Sequence, residues 1–164
     1  MTLAARILDQ LRGHTVCTLA TASDDGAHAA SLMYALDGYG LVWLSDPKSR
    51  HSQHIRSAPD VAVTIARQYE DFEAIVGLQM RGRAARITAA ADRQATLALL
   101  AARYPFLEQF QSGPKALVAR FASIDYYRFD PQSITLTDNS KGFGHKETLE
   151  APFKLGSGDG SVTG

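Results

Sequence analysis

The stretch Ser45-Asp46-Pro47-Lys48-Ser49-Arg50-His51 sets hydroxyl, cationic and imidazole groups side by side, between an apolar strand and a short helix. The first turn of a helix leaves backbone N–H groups without partners and carries a partial positive charge, a combination that favours phosphate. Ser49 adds a hydroxyl donor, and Arg50 adds two parallel N–H donors matched to phosphate oxygens. The same residues also read as helix punctuation. Asp46 before Pro47 is a common N-cap pair, Lys48 and Arg50 fit a wet face, and an Asp46 carboxylate would compete with a bound anion. On these residues alone the punctuation reading is the stronger.

His51 and His54 stand three residues apart on the expected helix, but no cysteine or carboxylate at matching spacing completes a metal site. They read as solvent-facing histidines. His14 and His28 lie near strand ends, where hydrogen bonding to a barrel rim is the default role. Cys17 sits within an apolar strand and reads as structural. There is no Gly-x-Ser-x-Gly elbow and no phosphate-binding Walker loop, which argues against hydrolase chemistry. A second stretch, Thr137-Asp138-Asn139-Ser140-Lys141-Gly142-Phe143-Gly144-His145-Lys146, flanks an aromatic ring with two glycines. Such a turn can lay Phe143 over a planar ligand or plug one end of a barrel, and the plug is the simpler reading.

The elements that must position these groups are mostly strands. Residues 2–12 carry Leu3, Ile7, Leu8 and Leu11 on one helical face, with Gly13 as a stop. Val16 to Ala20 then alternates, Ser23-Asp24-Asp25-Gly26 forms a tight turn, and residues 28–36 return. Asp37-Gly38-Tyr39-Gly40 turns again into a strand over 41–44. A helix is expected over 48–57, strands over 61–68 and 75–88, and a long helix over 89–103 ended by Pro105. Gly77 and Gly82 suit bends in the long strand. Residues 106–114 read as loop, and 116–121, 126–129 and 134–137 as strands, the last two separated by Asp130-Pro131. Residues 156–164 hold four glycines and no apolar pattern, and read as a disordered tail after a single domain over 1–155. Many strands with few helices indicate a mainly β barrel with peripheral helices.

Seventeen basic and seventeen acidic side chains leave no net charge, which argues against nucleic acid or an anionic membrane surface as a partner. A lone cysteine excludes an internal disulfide framework, and no apolar run approaches the roughly 20 residues of a membrane span. A cytoplasmic protein is expected.

Leu41-Val42-Trp43-Leu44-Ser45, the loop to Lys48-Ser49-Arg50-His51 and Gly77-Leu78-Gln79-Met80-Arg81-Gly82-Arg83-Ala84 together resemble the flavin mononucleotide (FMN)-binding split-barrel superfamily typified by pyridoxamine 5′-phosphate oxidase. The ending at residues 137–146 is similar to its YhbP-like branch. The resemblance implies a six-stranded antiparallel split β-barrel that pairs as a homodimer, with FMN at the subunit interface. It places Ser49 and Arg50 on the FMN phosphate, with Lys48, His51 and Ser45 beside them. It gives Ser31, Leu32 and Met33 backbone contacts to the isoalloxazine ring, and makes Gln79 a ring or ribityl contact. Phe143 would close the groove. Ala29 and Tyr34 stand where the oxidases have cationic residues, and the oxidases' C-terminal Trp and Arg-Leu substrate signature has no counterpart. The implied activity is a small flavin-dependent oxidoreductase other than a vitamin B6 oxidase. The alternatives are a flavin or haem binding and storage protein, with His145 or His14 as axial ligand, and a deazaflavin-dependent reductase.

Overall fold

A computed structural model describes residues 1–154. Helix α1 (Leu3–Gly13) starts at Thr2, whose hydroxyl accepts from the Ala5 N–H, and it buries Ile7 and Leu11 completely. Strands β1 (Val16–Ser23) and β2 (Gly26–Met33) pair in register from Val16–Met33 to Ser23–Gly26. Asp24-Asp25 is thus a two-residue loop, and Gly26 follows it at φ 107°, where a β-carbon would be strained. Strands β3 (Ala35–Asp37) and β4 (Gly40–Ser45) form the second hairpin around Gly38-Tyr39.

Helix α2 (Arg50–Ser57), β5 (Asp60–Ala66), β6 (Val76–Arg86), α3 (Ala90–Arg103), α4 (Gln109–Ser112), α5 (Lys115–Ala122), β7 (Asp125–Asp138) and β8 (Lys146–Glu150) complete the chain. The eight strands of the described residues form one antiparallel sheet, seven in the order β2-β1-β5-β6-β7-β4-β3 and β8 beside β7 off that path. The long β7 lends one half of an edge to β4 and the other half to β8. Its two terminal strands, β2 and β3, are joined in the chain by the single residue Tyr34, so the sheet curls back toward itself. Tyr34 is wholly buried; its N–H donates to the Thr15 carbonyl and its hydroxyl to the Leu11 carbonyl.

Leu19, Trp43, Leu78, Met80, Phe129 and Ile134 fill the inside of the curl. A second cluster lies behind β3 and β4, where Ala35 and Val42 meet Leu100, Tyr104 and Leu107. Strand β4 is therefore covered on both faces, which fixes the position of Ser45 at its end.

The split-barrel architecture agrees with the sequence reading, but the described residues form eight strands, not six. The strand expected over 28–36 breaks at Tyr34, because the sheet must change edges there. The two strands expected around Asp130-Pro131 are one: Pro131 sits opposite Gly82, where the register shifts by one residue and no ladder N–H is required of it. Residues 116–121 are helical, not extended. Leu117, Val118 and Phe121 share one half-buried face at helical spacing, and Pro114 starts the helix. Residues 106–114 hold a 3₁₀ turn (Pro105–Glu108) and α4 where a loop was expected. The expected tail lies outside the described residues. Among these, no helix is long and apolar enough to cross a membrane.

Gly82 allows β6 and β7 to approach at the bulge. A β-carbon there would stand 2.2 Å from the Asp130 carbonyl oxygen and 2.7 Å from Pro131 Cα, both backbone atoms with no room to retreat. Gly82→Ala is expected to cost about 1–3 kcal/mol of stability. Gly13→Ala, in open space at a negative φ, is expected to change it by less than about 1 kcal/mol. Urea midpoints of the two variants check this.

Candidate functional site

Strand β4 ends at Ser45, and the chain turns through Asp46-Pro47-Lys48 before α2 begins at Ser49. Asp46 holds the turn by accepting from the Lys48 N–H at 2.8 Å, and its other oxygen takes Arg120 of α5 at 2.7 Å. The Lys48 N–H and then the Arg120 guanidinium hold the Asp46 carboxyl below its usual range. Asp46 thus serves the loop and α5, while Ser49 is the N-cap, 3.4 Å from the Ser52 N–H. Ser45 and Ser49 face each other with their oxygens 3.4 Å apart, and both approach His51 Nε2, at 2.5 and 3.1 Å. The structure therefore brings Ser45, Ser49 and His51 together. Lys48 is exposed on the outer side of the turn. Arg50 is turned toward the β1–β2 loop, where it donates to the Asp25 carbonyl at 3.0 Å and pairs with its carboxylate at 3.1 Å.

His51 and His54 are not solvent-facing. They are 7% and 3% exposed, because α2 lies across the end of the curl and turns both rings inward. His28, opposite Thr21 in the hairpin register, stacks on His51 at 6.2 Å and meets the edge of His54 at 6.1 Å. Thr21 Oγ1 lies 3.0 Å from His54 Nδ1. Asp25 Oδ1 stands 2.7 Å from His54 Nε2 without the alignment of a hydrogen bond. Burial, then His28 and His54, push His51 below the usual imidazole range. The sequence reading missed this cluster, although the Asp24-Asp25 turn that places His28 opposite Thr21 was visible in it. His14 bonds its own helix, not the barrel rim: it is the C-cap of α1, with Nδ1 2.7 Å from the Gln10 carbonyl oxygen. Burial pushes the Cys17 thiol up to about 12, in keeping with a structural cysteine.

Ser31, Met33 and Gln79 lie on the outer face of the sheet, whereas Leu32 packs against the core and leaves only its main chain to a ligand. Strand pairing sets Ser31, Thr18, Thr64, Gln79, Thr135 and Thr148 in one polar row across six strands. Beside that row is a depression of about 560 Å³, floored by Ala20, Ala22, Ala27 and Ala62 and edged by Arg81. Position 34, by contrast, is inside the protein and contributes nothing to a site.

The curled antiparallel sheet that carries this strand-to-helix turn is matched by the comparisons with known proteins. The sequence profile described as pyridoxamine 5′-phosphate oxidase fits residues 3–137. The chain belongs to this family. UPF0306 proteins of Yersinia pestis and Yersinia pseudotuberculosis are 29% identical over 138 residues, covering 83% of this chain and 85% of theirs. Among solved structures, a FAD-binding protein of Mesorhizobium loti superposes with a TM-score of 0.62 at 19% identity, over 82% of this chain and 92% of its own. The haem storage protein HutZ of Vibrio cholerae superposes with a TM-score of 0.63 at 13% identity, over 92% and 95% of the two chains. These structural likenesses establish the shared fold.

For a chain of the pyridoxamine 5′-phosphate oxidase family, the donors present fit a flavin phosphate: two hydroxyls and a helix start, with a guanidinium on the next residue. Phe143 is placed elsewhere. Ten strand steps, about 33 Å, separate the Val76–Asp138 pair from the Arg86–Tyr127 pair, so within one copy Phe143 and Ser49 lie at opposite ends of the sheet. Phe143 is 88% exposed and meets Phe72 edge-on at 6.1 Å. Its turn is held firmly: Gly142 and Gly144 take φ 133° and 69°, and the Gly144 N–H donates to Asn139 Oδ1.

Arg6 of α1 anchors this hairpin to the barrel, reaching Asp138 at 2.7 Å and Glu147 at 2.5 Å. Hydrogen bonds from Arg6 and then Lys141 hold the Glu147 carboxyl down to about 2, and bonds from Ser140 and then Arg6 lower Asp138. Carboxyls depressed in the folded state contribute stability above their ordinary range and lose it as pH falls toward the folded value. The hairpin is therefore expected to stay docked down to the usual glutamate value of 4.5 and to release between there and about pH 2. Arg6→Gln should move the release to higher pH. The aromatic NMR signals of Phe72 and Phe143, followed through an acid titration, check both.

Proposed function

We propose that this protein is an FMN-binding homodimer acting as a small flavin-dependent oxidoreductase other than a vitamin B6 oxidase. The observation that carries this reading is the convergence of Ser45 and Ser49 on the start of α2. The phosphate would be held by Ser45, Ser49, the α2 N-terminus and Arg50, with Lys48 close enough to add charge. The ring would lie along Ser31 to Met33 toward Gln79, over the small-residue outer face. A second copy covering that face would complete the groove and bring its own Phe143 hairpin toward the site. When bound, the flavin supplies hydride or electron transfer, while the chain supplies binding, orientation and shielding from water. No acid–base pair is needed from the protein for that division of labour.

The second reading, a haem-binding or storage protein, is supported by the fold shared with HutZ and with a haem-binding protein of Mycobacterium smegmatis. His14 is the better axial candidate, because Nδ1 faces the Gln10 carbonyl and so leaves Nε2 to a metal. His145 instead turns Nε2 toward Glu147 at 3.3 Å. The absorption spectrum of the purified protein separates a flavin, a deazaflavin and a haem.

The flavin reading predicts tighter binding of FMN than of riboflavin, which lacks the phosphate. Arg50→Ala should weaken FMN by about tenfold to a hundredfold, the value of a charge-assisted hydrogen bond of about 1.5–3 kcal/mol. Riboflavin affinity should hardly change. Fluorescence titrations measure both, and equal weakening of the two ligands would remove Arg50 from the phosphate site. Sedimentation at micromolar concentration should show a dimer, and a monomer would remove the interfacial groove.

A further inference from the structure

The cradle contains a conflict over hydrogens. An anion only accepts, so each serine that binds it must point its single hydroxyl hydrogen outward. In this structure Ser49 donates to Ser52 Oγ at 2.8 Å. His51 Nε2, 2.5 Å from Ser45, then decides where the Ser45 hydrogen goes. A bare Nε2 accepts that hydrogen and turns it inward, so that lone pairs face the ligand. An Nε2 that carries a hydrogen donates to the Ser45 oxygen instead, with Ser49 also within reach at 3.1 Å, and frees the Ser45 hydrogen to turn outward; the neutral Nε2–H tautomer and the imidazolium both do this, but only the imidazolium adds a positive charge beside the anion.

We propose that His51 is a positioning residue of the anion site, and that binding a phosphate is coupled to uptake of one proton at its imidazole. The inference rests on the anion-site reading given under Proposed function and adds a proton-linked gate to it. The surroundings of His51 set its resting state. His28 stacks on it from β2, and His54 and Arg50 come from its own helix. Asp25 approaches from the β1–β2 loop but is engaged by Arg50 and His54. Asp46 and Lys48 lie in the preceding turn, with Asp46 paired to Arg120 of α5. Asp125 of β7, opposite Ser45, is paired to Arg86. The nearby carboxylates thus already have cationic partners, while two imidazoles and a guanidinium disfavour a further positive charge. The free site keeps His51 neutral, and the arriving anion supplies the charge that lets it protonate.

The test uses the full-length protein and two anions. Sulfate keeps both charges from pH 5.5 to 8.5, so its binding reports only the protein's protons. With sulfate present, the His51 imidazole signal should titrate at higher pH than without it. FMN affinity relative to riboflavin should rise as pH falls, approaching about tenfold per pH unit, the limit for one proton taken up. The second ionisation of the FMN phosphate is common to all variants and cancels when they are compared. His51→Gln, whose amide donates without titrating, should keep the preference for FMN and lose this extra slope. His51→Phe should lose the preference itself.

If His51 only packs, Gln and Phe will weaken FMN and riboflavin alike and leave the slope unchanged, which overturns the proposal. An unmoved His51 signal with sulfate, in a protein that still prefers FMN, also overturns it and leaves the flavin reading standing. A His51 signal that moves with sulfate in a protein that binds neither flavin supports the gate and overturns the flavin reading instead.

Discussion

Tyr34 carries the chain from one end of the sheet path to the other, and the curl is set by how tightly that residue is held. Its hydroxyl is fixed to the turn of α1, its N–H to the chain before β1, and its carbonyl accepts from Tyr104. The end of α1, the residue before β1 and the hydroxyl of Tyr104 are thereby tied to one residue with no exposed surface. Because β3 must follow at once, β4 is driven between the main core and the α3 side of the protein. Ser45 is the point at which that doubly covered strand emerges. The cradle is rigid because the strand that ends in it has neighbours on both faces.

Charge is handled by pairing at the periphery. Arg6, Arg50, Arg86, Arg120 and Arg128 each meet an aspartate or glutamate, and these contacts tie loops and helices to strands. A sequence with no net charge thus hides a local asymmetry. The groups that meet Ser45 and Ser49 are an imidazole and hydroxyls, whose hydrogens can be rearranged at small cost. Asp46, which a sequence reader sees as a competitor for the helix start, is drawn off by Arg120. That residue lies on a helix that the sequence suggested was a strand.

Local turn chemistry made much of the fold legible. Asp24-Asp25-Gly26 and Asp37-Gly38-Tyr39-Gly40 announce their hairpins because glycine relieves the strain of a positive φ, and the 2-residue alternation of β1 follows from one covered face. The failures have a common origin in tertiary pairing. Pro131 reads as a terminator until Gly82 is placed opposite it. Residues 116–121 read as extended because Val118 and Phe121 favour strands, yet Leu117, Val118 and Phe121 recur at helical spacing after Pro114 and turn one face inward. The turn that brings Ser45 and Ser49 together was legible as a motif, since the two residues flank it. The burial of His51 and His54 was not, because a helix of this length shows its inner face only when the surface beneath it is known.

The outer face of the sheet has a further property that follows from its composition. Alanine has no side-chain rotamers to lose, and serine and threonine have few, so covering Ala20, Ala22, Ala29, Ala62, Thr18 and Thr64 freezes little motion. A face of long lysines and glutamates would resist coverage through the disorder it had to surrender, whatever its contacts were worth. Over this patch of β1, β2 and β5 the surface is nearly as ordered bare as it would be covered, whereas Met33, Gln79 and Arg81 beside it have rotamers to lose. Whatever settles on it therefore meets little entropic resistance from the wall itself, and even weak, purely van der Waals contacts can count in full.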